Sequence, residues 1–224
     1  MNILVISAHP DDETLGCGGT LLRHVAQGAS LYWLILTRGS EPTYSSDYLQ
    51  CAREEVENVA KAYGIKQTFW PGLPSTGLDA LPLNDVIAAV RRTVEEVRPD
   101  VVYTVHQGDV HTDHQVVFTA TAIVLKPFYM RSLGVKRFLS FETLSSTDAA
   151  PASPSSMFAP NVYCDITPYI DRKLEIMRLF AQQVQAEPMP RSDSAIRALA
   201  RVRGASISVP YAEAFMLIRE VAII

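Results

Sequence analysis

Four of the five histidines lie in two short segments that are also rich in acidic residues. The first segment is AHPDDE at residues 8–13, and the second is HQGDVHTDH at residues 106–114. Imidazole nitrogens and carboxylate oxygens are ligands that zinc and ferrous iron take in proteins. The two segments therefore predict a metal site, provided that the fold brings them together.

Two neighbouring carboxylates in the first segment could have different chemical roles. Adjacent side chains on an extended or turning backbone point in different directions, so Asp11 and Asp12 cannot easily share one task. One can bind a metal ion while the other takes a proton from water, as metal-assisted hydrolysis requires. The structural alternative is a helix start, with Asp as the cap and Glu13 in the first turn.

The second segment offers two histidines at helical spacing. His111 and His114 are three residues apart, so they share one face if a helix begins there. The carboxylate of Asp113 could orient a neighbouring histidine. A catalytic zinc takes three protein ligands and keeps one position open, and His9, Asp12 and His114 would supply those three.

The elements that must position these residues alternate between strands and helices. Apolar runs predict strands at residues 3–6, 31–36, 67–70, 101–105 and 138–141. Stripes of helical period predict helices over residues 49–63, ended by Gly64, and over residues 86–97, before Pro99. This alternation predicts a single-domain α/β fold over residues 1–224, a Rossmann-like and mostly parallel sheet with helices on both faces. Each His/Asp segment follows a strand, so both could face one crevice at the carboxyl ends of the strands.

The last third of the chain is less regular. Residues 144–160 are rich in serine, proline and alanine and predict a loop that is either a lid or an insertion. Thr167-Pro168 predicts the start of a helix that continues to residue 180, and a second short helix covers residues 193–203 and ends at Gly204. The apolar tail, residues 214–224, predicts a last strand, with a helix as the alternative.

Composition narrows the class of protein. The 224 residues are 48% hydrophobic and 20% charged, which excludes a disordered chain and indicates one large domain. A net charge of −4 argues against a nucleic-acid binder. No apolar run approaches the roughly 20 residues of a membrane helix, and the N-terminus lacks the basic part of a signal peptide. Three scattered cysteines indicate a reducing compartment, so a cytoplasmic location is expected.

Five motifs together resemble one family. The AHPDDE segment is followed by Gly18-Gly19, and HTDH stands at residues 111–114. Between and after them come TRG at residues 37–39, REE at residues 53–55 and YAEAF at residues 211–215. Over nearly its whole length the chain is similar to the PIG-L/LmbE-like de-N-acetylases.

The resemblance implies a reaction and a role for each matching residue. The implied activity is zinc-dependent hydrolysis of an N-acetylated amino sugar or its conjugate, which yields acetate and a free amine. Ferrous iron suits the same ligands. The implied roles are metal ligation by His9, Asp12 and His114; general-base action by Asp11; polarisation of the carbonyl by His111, with Asp113 hydrogen-bonded to it; and substrate contact by Arg53. Relatives often form homo-oligomers, which the resemblance extends to this chain.

Several alternatives remain open at this stage. Arg53 could form a structural ion pair instead of a substrate contact. The same metal site could hydrolyse another bond, such as a phosphoester, or the protein could bind carbohydrate without turnover. The arginine-rich segment at residues 191–203 is either a solvated helix face or a site for the phosphate of a nucleotide-linked sugar. The sequence does not name the sugar, its aglycone or the native metal.

Overall fold

Strands and helices alternate along most of the chain in the computed structural model, which describes residues 1–154 and 156–222. The described residues form nine strands: β1 (Asn2–Ser7), β2 (Ser30–Ile35), β3 (Thr37–Arg38), β4 (Ile65–Phe69), β5 (Leu73–Pro74), β6 (Val101–Val105), β7 (Arg137–Phe141), β8 (Val162–Asp165) and β9 (Ala212–Glu220). They also form seven α-helices: α1 (Asp12–Ala26), α2 (Ser46–Tyr63), α3 (Leu83–Val97), α4 (Thr112–Val124), α5 (Pro127–Leu133), α6 (Ile170–Met177) and α7 (Asp193–Ala205).

Seven of the strands form one sheet in the order β4-β2-β1-β6-β7-β9-β8, while β3 and β5 pair separately. The neighbours from β4 to β7 are parallel, and β9 is antiparallel to both β7 and β8. The predicted Rossmann-like, mostly parallel sheet is confirmed. The chain moves outward from β1 to β4 and then resumes on the other side of β1 with β6, so β1 and β6 flank the topological switch point.

Helices cover both faces of the sheet, as predicted. Helix α1 packs against α2 and α6, whereas α3 packs against α4. Right-handed crossovers account for this division, because α1 and α2 join strands in the direction from β1 to β4, whereas α3 and α4 join strands in the opposite direction, towards β7. Strand β1 is consequently buried on both sides: Ile3, Leu4, Val5 and Ile6 are each at most 1% exposed.

Helix α1 is kinked where it packs most closely. The backbone of Cys17 (φ −141°, ψ 16°) is not helical. On either side of it, a Cβ at Gly16 would lie 2.0 Å from a ring carbon of Phe141, and a Cβ at Gly18 would lie 2.4 Å from Tyr63 Oη. Glycine is needed here because α1 lies directly against these two aromatic rings.

A buried ion pair holds the second half of α1. The carboxylate of Glu213, from β9, accepts hydrogen bonds from the N–H groups of Gly19 at 2.9 Å and Thr20 at 2.7 Å. Lys173 Nζ, from α6, lies 2.7 Å from the same carboxylate, and both side chains are 4% exposed. Glu213 thus serves the kinked helix as a capping residue does, although it is distant in sequence.

The remaining elements differ from the predictions mainly at their ends. Thr167–Tyr169 is a 3-10 turn, and α6 stops at Met177, short of residue 180, because the next turn continues with i→i−3 hydrogen bonds. Helix α7 extends two residues beyond the predicted limit. The tail is a strand, β9, although residues 223–224 of the predicted range lie outside the described residues. Strands β3, β5 and β8 and helix α5 were not predicted, because elements of two to seven residues are too short to show a period.

The serine- and proline-rich segment is a loop wherever it is described, at residues 144–154 and 156–160. The carbonyl oxygen of Ser156 lies 3.1 Å from His106 Nε2, so this loop packs on the connection between β6 and α4. Its role as a lid stays a prediction.

All three cysteines are free, as the sequence predicted. In the part of the chain that the structure describes, no single helix is long and apolar enough to cross a membrane. Helices α4 and α5 meet that criterion only as a pair, bent by 71°.

We expect Glu213→Gln to lower the free energy of unfolding by about 3–5 kcal/mol, because it leaves the buried ammonium of Lys173 without its counter-charge. Urea unfolding measures the loss. Adding Lys173→Met removes the unpaired charge. The free energy of unfolding of the double variant should therefore fall by clearly less than the sum of the losses in the two single variants. An exposed pair, Lys136 and Asp100, is the control and should contribute at most about 1 kcal/mol. Additive losses at Glu213 and Lys173 would contradict this account.

Stability should fall in mild acid because of His24. Burial, together with the charges of Arg23 and Arg137, lowers the pKa of His24 to about 4 from its usual 6.5. Between those values the unfolded chain binds a proton at His24 and the folded chain does not. The contribution of neutral His24 to the free energy of unfolding is therefore fully present above pH 6.5 and is lost as the pH falls towards 4. His24→Gln should flatten the pH dependence of the urea midpoint across this interval; equal slopes in the two proteins would refute the assignment.

Candidate active site

The first His/Asp segment forms a tight turn between β1 and α1. Oδ2 of Asp12, the first residue of α1, accepts hydrogen bonds from the N–H groups of Ala8 at 2.9 Å and His9 at 2.8 Å. Asp11 has a φ of 102°, a conformation that costs a residue other than glycine about 1–3 kcal/mol. Backbone strain of this kind persists only where the surroundings hold it, which is common at functional sites.

The second segment connects β6 to α4. His111 caps α4, and its Nδ1 accepts a hydrogen bond from the N–H group of Asp113 at 3.2 Å. Asp113 and His114 lie in the first turn of the helix and are buried, with exposures of 0% and 1%. The imidazole ring of His111 stacks on that of His114 with 5.2 Å between centroids.

The sheet brings the two segments together. Strands β1 and β6 are parallel neighbours, with Ile3 opposite Val101 and Ile6 opposite Thr104. Their carboxyl ends therefore lie side by side, and the loops that follow them meet at the switch point.

Three potential ligand atoms converge there. His114 Nε2 lies 3.3 Å from both His9 Nδ1 and Asp12 Oδ1, and His9 Nδ1 lies 3.8 Å from Asp12 Oδ2. Two ligands about 2.0–2.2 Å from a tetrahedral zinc ion are themselves about 3.3–3.6 Å apart, which is close to the observed spacing. A second group, His9, His111 and Asp113, also lies within 4.8 Å, but it shares His9 with the first.

Each of the two histidines in the first group has a carboxylate on its other nitrogen. His9 Nε2 lies 2.9 Å from Asp113 Oδ2, and His114 Nδ1 lies 2.6 Å from Asp109 Oδ2. Metal-binding histidines commonly have such partners, which fix the ring orientation and make the ligand nitrogen more basic. Both remaining ring nitrogens, His9 Nδ1 and His114 Nε2, are thereby left facing Asp12.

The charges in this cluster are strongly coupled. Burial alone would raise the pKa of Asp12, but the charge and hydrogen bond of His114, together with His9, hold it below its usual range. Burial likewise opposes the charged form of His114, yet Asp12 and Asp109 raise the pKa of His114 to about 10. This group of acids and histidines has the charge balance of a site made to hold a cation.

Asp11 stands apart from that group and pairs with an arginine. Arg191 Nη1 lies 2.8 Å from Asp11 Oδ2, and the same guanidinium contacts Gln183 Oε1 at 2.8 Å and Ser145 Oγ at 3.0 Å. Burial raises the pKa of Asp11 to about 7, even though Arg191 acts to lower it. A carboxyl group with a pKa near neutrality can both accept and release a proton at about pH 7.

One expectation about site residues needs correction. The carboxylate of Asp113 does not bind His111: it accepts from His9 Nε2 and from the N–H groups of Thr76 and Leu78, and only its own N–H reaches His111. Because Asp113 follows His111 by two residues at a helix start, its side chain points across to β1 and the loop after β5 instead of back to His111.

Arg53 does not reach the cavity between the two segments. It is exposed on α2, while its neighbour Ala52 lines the cavity, and its contact with substrate stays a prediction. One residue along a helix rotates the side chain by about 100°, which turns Arg53 towards an adjoining groove instead.

The arginine-rich segment divides into separate contacts. Arg191 enters the site, whereas Arg203 forms a pair of hydrogen bonds with Glu142 and Arg197 pairs with Asp171. The segment is therefore not one phosphate site.

Sequence reasoning missed Arg191 as a partner of Asp11 and Asp109 as a partner of His114. Asp109 does stand in the second segment, and this position was its only signal.

A cavity of about 210 Å³ contains these groups. The metal-site cluster and Asp11 form part of its wall, and aromatic and polar side chains form the rest, among them Arg38, Tyr44, Tyr48, Leu49, Trp70, Gln183 and Arg191. Its size and mixed lining suit a small polar molecule with an apolar face.

Comparison with known proteins identifies relatives of the whole arrangement. The family model PIG-L, described as GlcNAc-PI de-N-acetylase, matches residues 4–125, which include both His/Asp segments. The uncharacterized deacetylase YaiS of Escherichia coli (strain K12) is 34% identical over 149 residues, which are 64% of this chain and 75% of YaiS. A probable N-acetyl-alpha-D-glucosaminyl L-malate deacetylase 2 of Bacillus anthracis is 24% identical over 191 residues, 81% of each protein.

Solved structures share the fold. The conserved protein TT1542 from Thermus thermophilus superimposes with a TM-score of 0.75 at 27% identity, covering 99% of this chain and 96% of that one. GalB, the 4-carboxy-2-hydroxymuconate hydratase from Pseudomonas putida KT2440, gives 0.74 at 19% identity, covering 100% and 98%. Since a hydratase has this fold, the fold alone does not fix the reaction.

We expect Asp109→Asn and Asp113→Asn each to weaken zinc binding about 10- to 100-fold, because each removes the carboxylate that orients a histidine. Competition with a chromogenic chelator measures the affinity. The exposed Asp148 provides a matched control, and Asp148→Asn should bind zinc as the wild type does. Unchanged affinity in both test variants, with thermal unfolding showing that they are folded, would contradict the geometry described above.

Proposed function

Because the chain belongs to the PIG-L family of de-N-acetylases, we propose that it hydrolyses the acetamide of an N-acetylated amino sugar conjugate with the help of a bound metal ion. The products are acetate and a free amine. The observation that carries this proposal is a buried carboxylate, Asp11, which lies beside the His9, Asp12 and His114 cluster without being part of it. A purely structural metal site or a binding module has no use for such a group.

The residues fit a zinc ion, and ferrous iron suits the same two nitrogens and one oxygen. The spacing of the three ligand atoms and the carboxylates behind His9 and His114 support this choice. When bound, such an ion supplies Lewis acidity and lowers the pKa of water towards about 7.

Asp11 then moves the proton that the reaction transfers. It takes a proton from the attacking water as the C–O bond forms, and it delivers the same proton to the nitrogen as the C–N bond breaks. Its pKa of about 7 suits both steps, and Arg191 keeps its carboxylate in place through the 2.8 Å contact.

His111 is suited to steady the oxygen of the acetamide. Its Nδ1 accepts the N–H of Asp113, so in the neutral ring the proton is on Nε2. Burial, with the charges of His9 and His114, lowers the pKa of His111, which favours this neutral form. Because His111 lines the cavity, its Nε2–H can donate to the negative charge that develops on the carbonyl oxygen.

We expect Asp11→Asn to lower kcat by about 10²- to 10⁴-fold, because Asn cannot take the proton. Release of free amine from a panel of N-acetylglucosamine conjugates measures turnover, and metal analysis follows the ion. Bound metal should stay at the wild-type level.

The exposed Asp85 on α3 supplies a control, and Asp85→Asn should keep full activity. Loss of the metal from Asp11→Asn would show that Asp11 is a ligand instead of the base. A wild-type protein that binds metal but releases phosphate from phosphoesters and no amine would contradict the proposal, as would one that binds the conjugates without turnover.

A further inference from the structure

One charged group in the wall of the cavity has no counter-charge. Arg38 lines the cavity and is half-buried, yet among the described residues it forms no ion pair. Its Nε is buried and has no hydrogen-bond partner in that part of the chain. A buried donor left unsatisfied is destabilising, more so on a charged group, so this guanidinium is suited to bind an anion.

Stacking on Trp70 orients the guanidinium of Arg38. Its Cζ lies 4.6 Å from the centroid of the Trp70 ring, and Trp70 Nε1 is fixed in turn by a 2.7 Å hydrogen bond to the carbonyl of Thr37. The backbone of Arg38 pairs with Pro74 between β3 and β5. Gly72, with a φ of 77°, turns the chain so that a Cβ there would be 3.8 Å from the guanidinium. An arginine stacked in this way keeps its N–H edge free for a planar anion.

The position of Arg38 relates it to the reacting groups. Arg38 and Trp70 form a wall that is common to the cavity and to the adjoining groove, which Arg53 lines. The segment after Trp70 also supplies the N–H groups of Thr76 and Leu78 that hold Asp113, the partner of His9. The segment that begins at Trp70, on which Arg38 stacks, is therefore hydrogen-bonded to a residue that contacts the metal-site cluster.

We propose that Arg38 binds an anionic group, a carboxylate or a phosphate, on the part of the conjugate that extends from the cavity towards the groove. This inference rests on the proposed function and specifies its substrate class: an N-acetylated amino sugar linked to an acidic group. Arg53, at the far side of the wall, adds a second positive charge along the same path, more strongly screened by solvent.

The test compares conjugates of one sugar whose linked group is neutral or anionic. Deacetylation of the methyl glycoside of N-acetylglucosamine, of its glycoside with a hydroxy acid and of its 1-phosphate is measured in the wild type and in Arg38→Met. Met keeps an apolar contact with Trp70 but has no charge. The wild type should show higher kcat/KM for an anionic conjugate than for the methyl glycoside. Arg38→Met should lower that ratio by about 10- to 100-fold, since a charge-assisted hydrogen bond contributes about 1.5–3 kcal/mol.

A matched control removes the same charge elsewhere. Arg91 also lies over an aromatic ring, with its Cζ 5.2 Å from the centroid of Tyr129, but it does not line the cavity. Arg91→Met should leave the ratio unchanged. The ratio in the wild type should also fall as the salt concentration rises, because the attraction is partly screened.

The possible outcomes separate this inference from the proposed function. Preference for the carboxylate or for the phosphate names the anionic group. Equal kcat/KM for neutral and anionic conjugates, or a ratio that Arg38→Met does not change, would overturn the inference and leave the deacetylase in place. If no conjugate is turned over, the proposed function fails; calorimetric binding of the same conjugates to Asp11→Asn then decides the inference, which is refuted where anionic and neutral ligands bind equally.

Discussion

The parallel pairing of β1 with β6 is the constraint on which the site depends. Because these strands are neighbours at the point where the strand order reverses, the loops after them meet although they are about one hundred residues apart in sequence. The contacts within the candidate metal cluster then either join one loop to the other or lie within one loop and stabilise its conformation. The contacts of His9 with Asp113, of His114 with Asp12 and of His9 with His114 link the two loops.

Buried charge is tolerated here because almost every charged group faces an opposite charge or a donor. Asp12 and Asp109 flank His114, and Asp113 holds His9. Glu13 is fully buried beside donors but no cation, and burial raises its pKa well above the usual range. Its carboxyl oxygens contact the hydroxyl of Thr14 and the N–H of Asp11, so this group supports the strained backbone of Asp11. The strain at Asp11 thus has a local cause.

Sequence reasoning could predict the parts of this arrangement that are local. The five longer strands up to β7, helices α2 and α3 and the two His/Asp segments all follow from patterns within about twenty residues, and topology rules then place both segments at one edge. The partners of individual side chains could not be predicted in this way. Arg191 meets Asp11 from a loop 180 residues away, and the carboxylate of Asp113 contacts a histidine on another strand's loop instead of the one two residues before it.

The position of Arg53 outside the cavity has a similar origin. Its place in a helix was predicted correctly, but a rotation by one residue decides whether a side chain faces the cavity or the groove. Arg38, which does line the cavity, lies at a two-residue strand that no periodicity reveals. The long strands and helices determine the fold. The proposed substrate specificity depends instead on a short strand and on contacts between residues far apart in sequence.

Anomalous diffraction at the zinc absorption edge, from crystals grown with one equivalent of zinc, tests the central claim most directly. The account predicts one peak per chain, about 2.0–2.2 Å from His9 Nδ1, an oxygen of Asp12 and His114 Nε2, with Asp11 outside the coordination sphere. A peak bound by His9, His111 and Asp113 instead, or zinc held by Asp11, would contradict it.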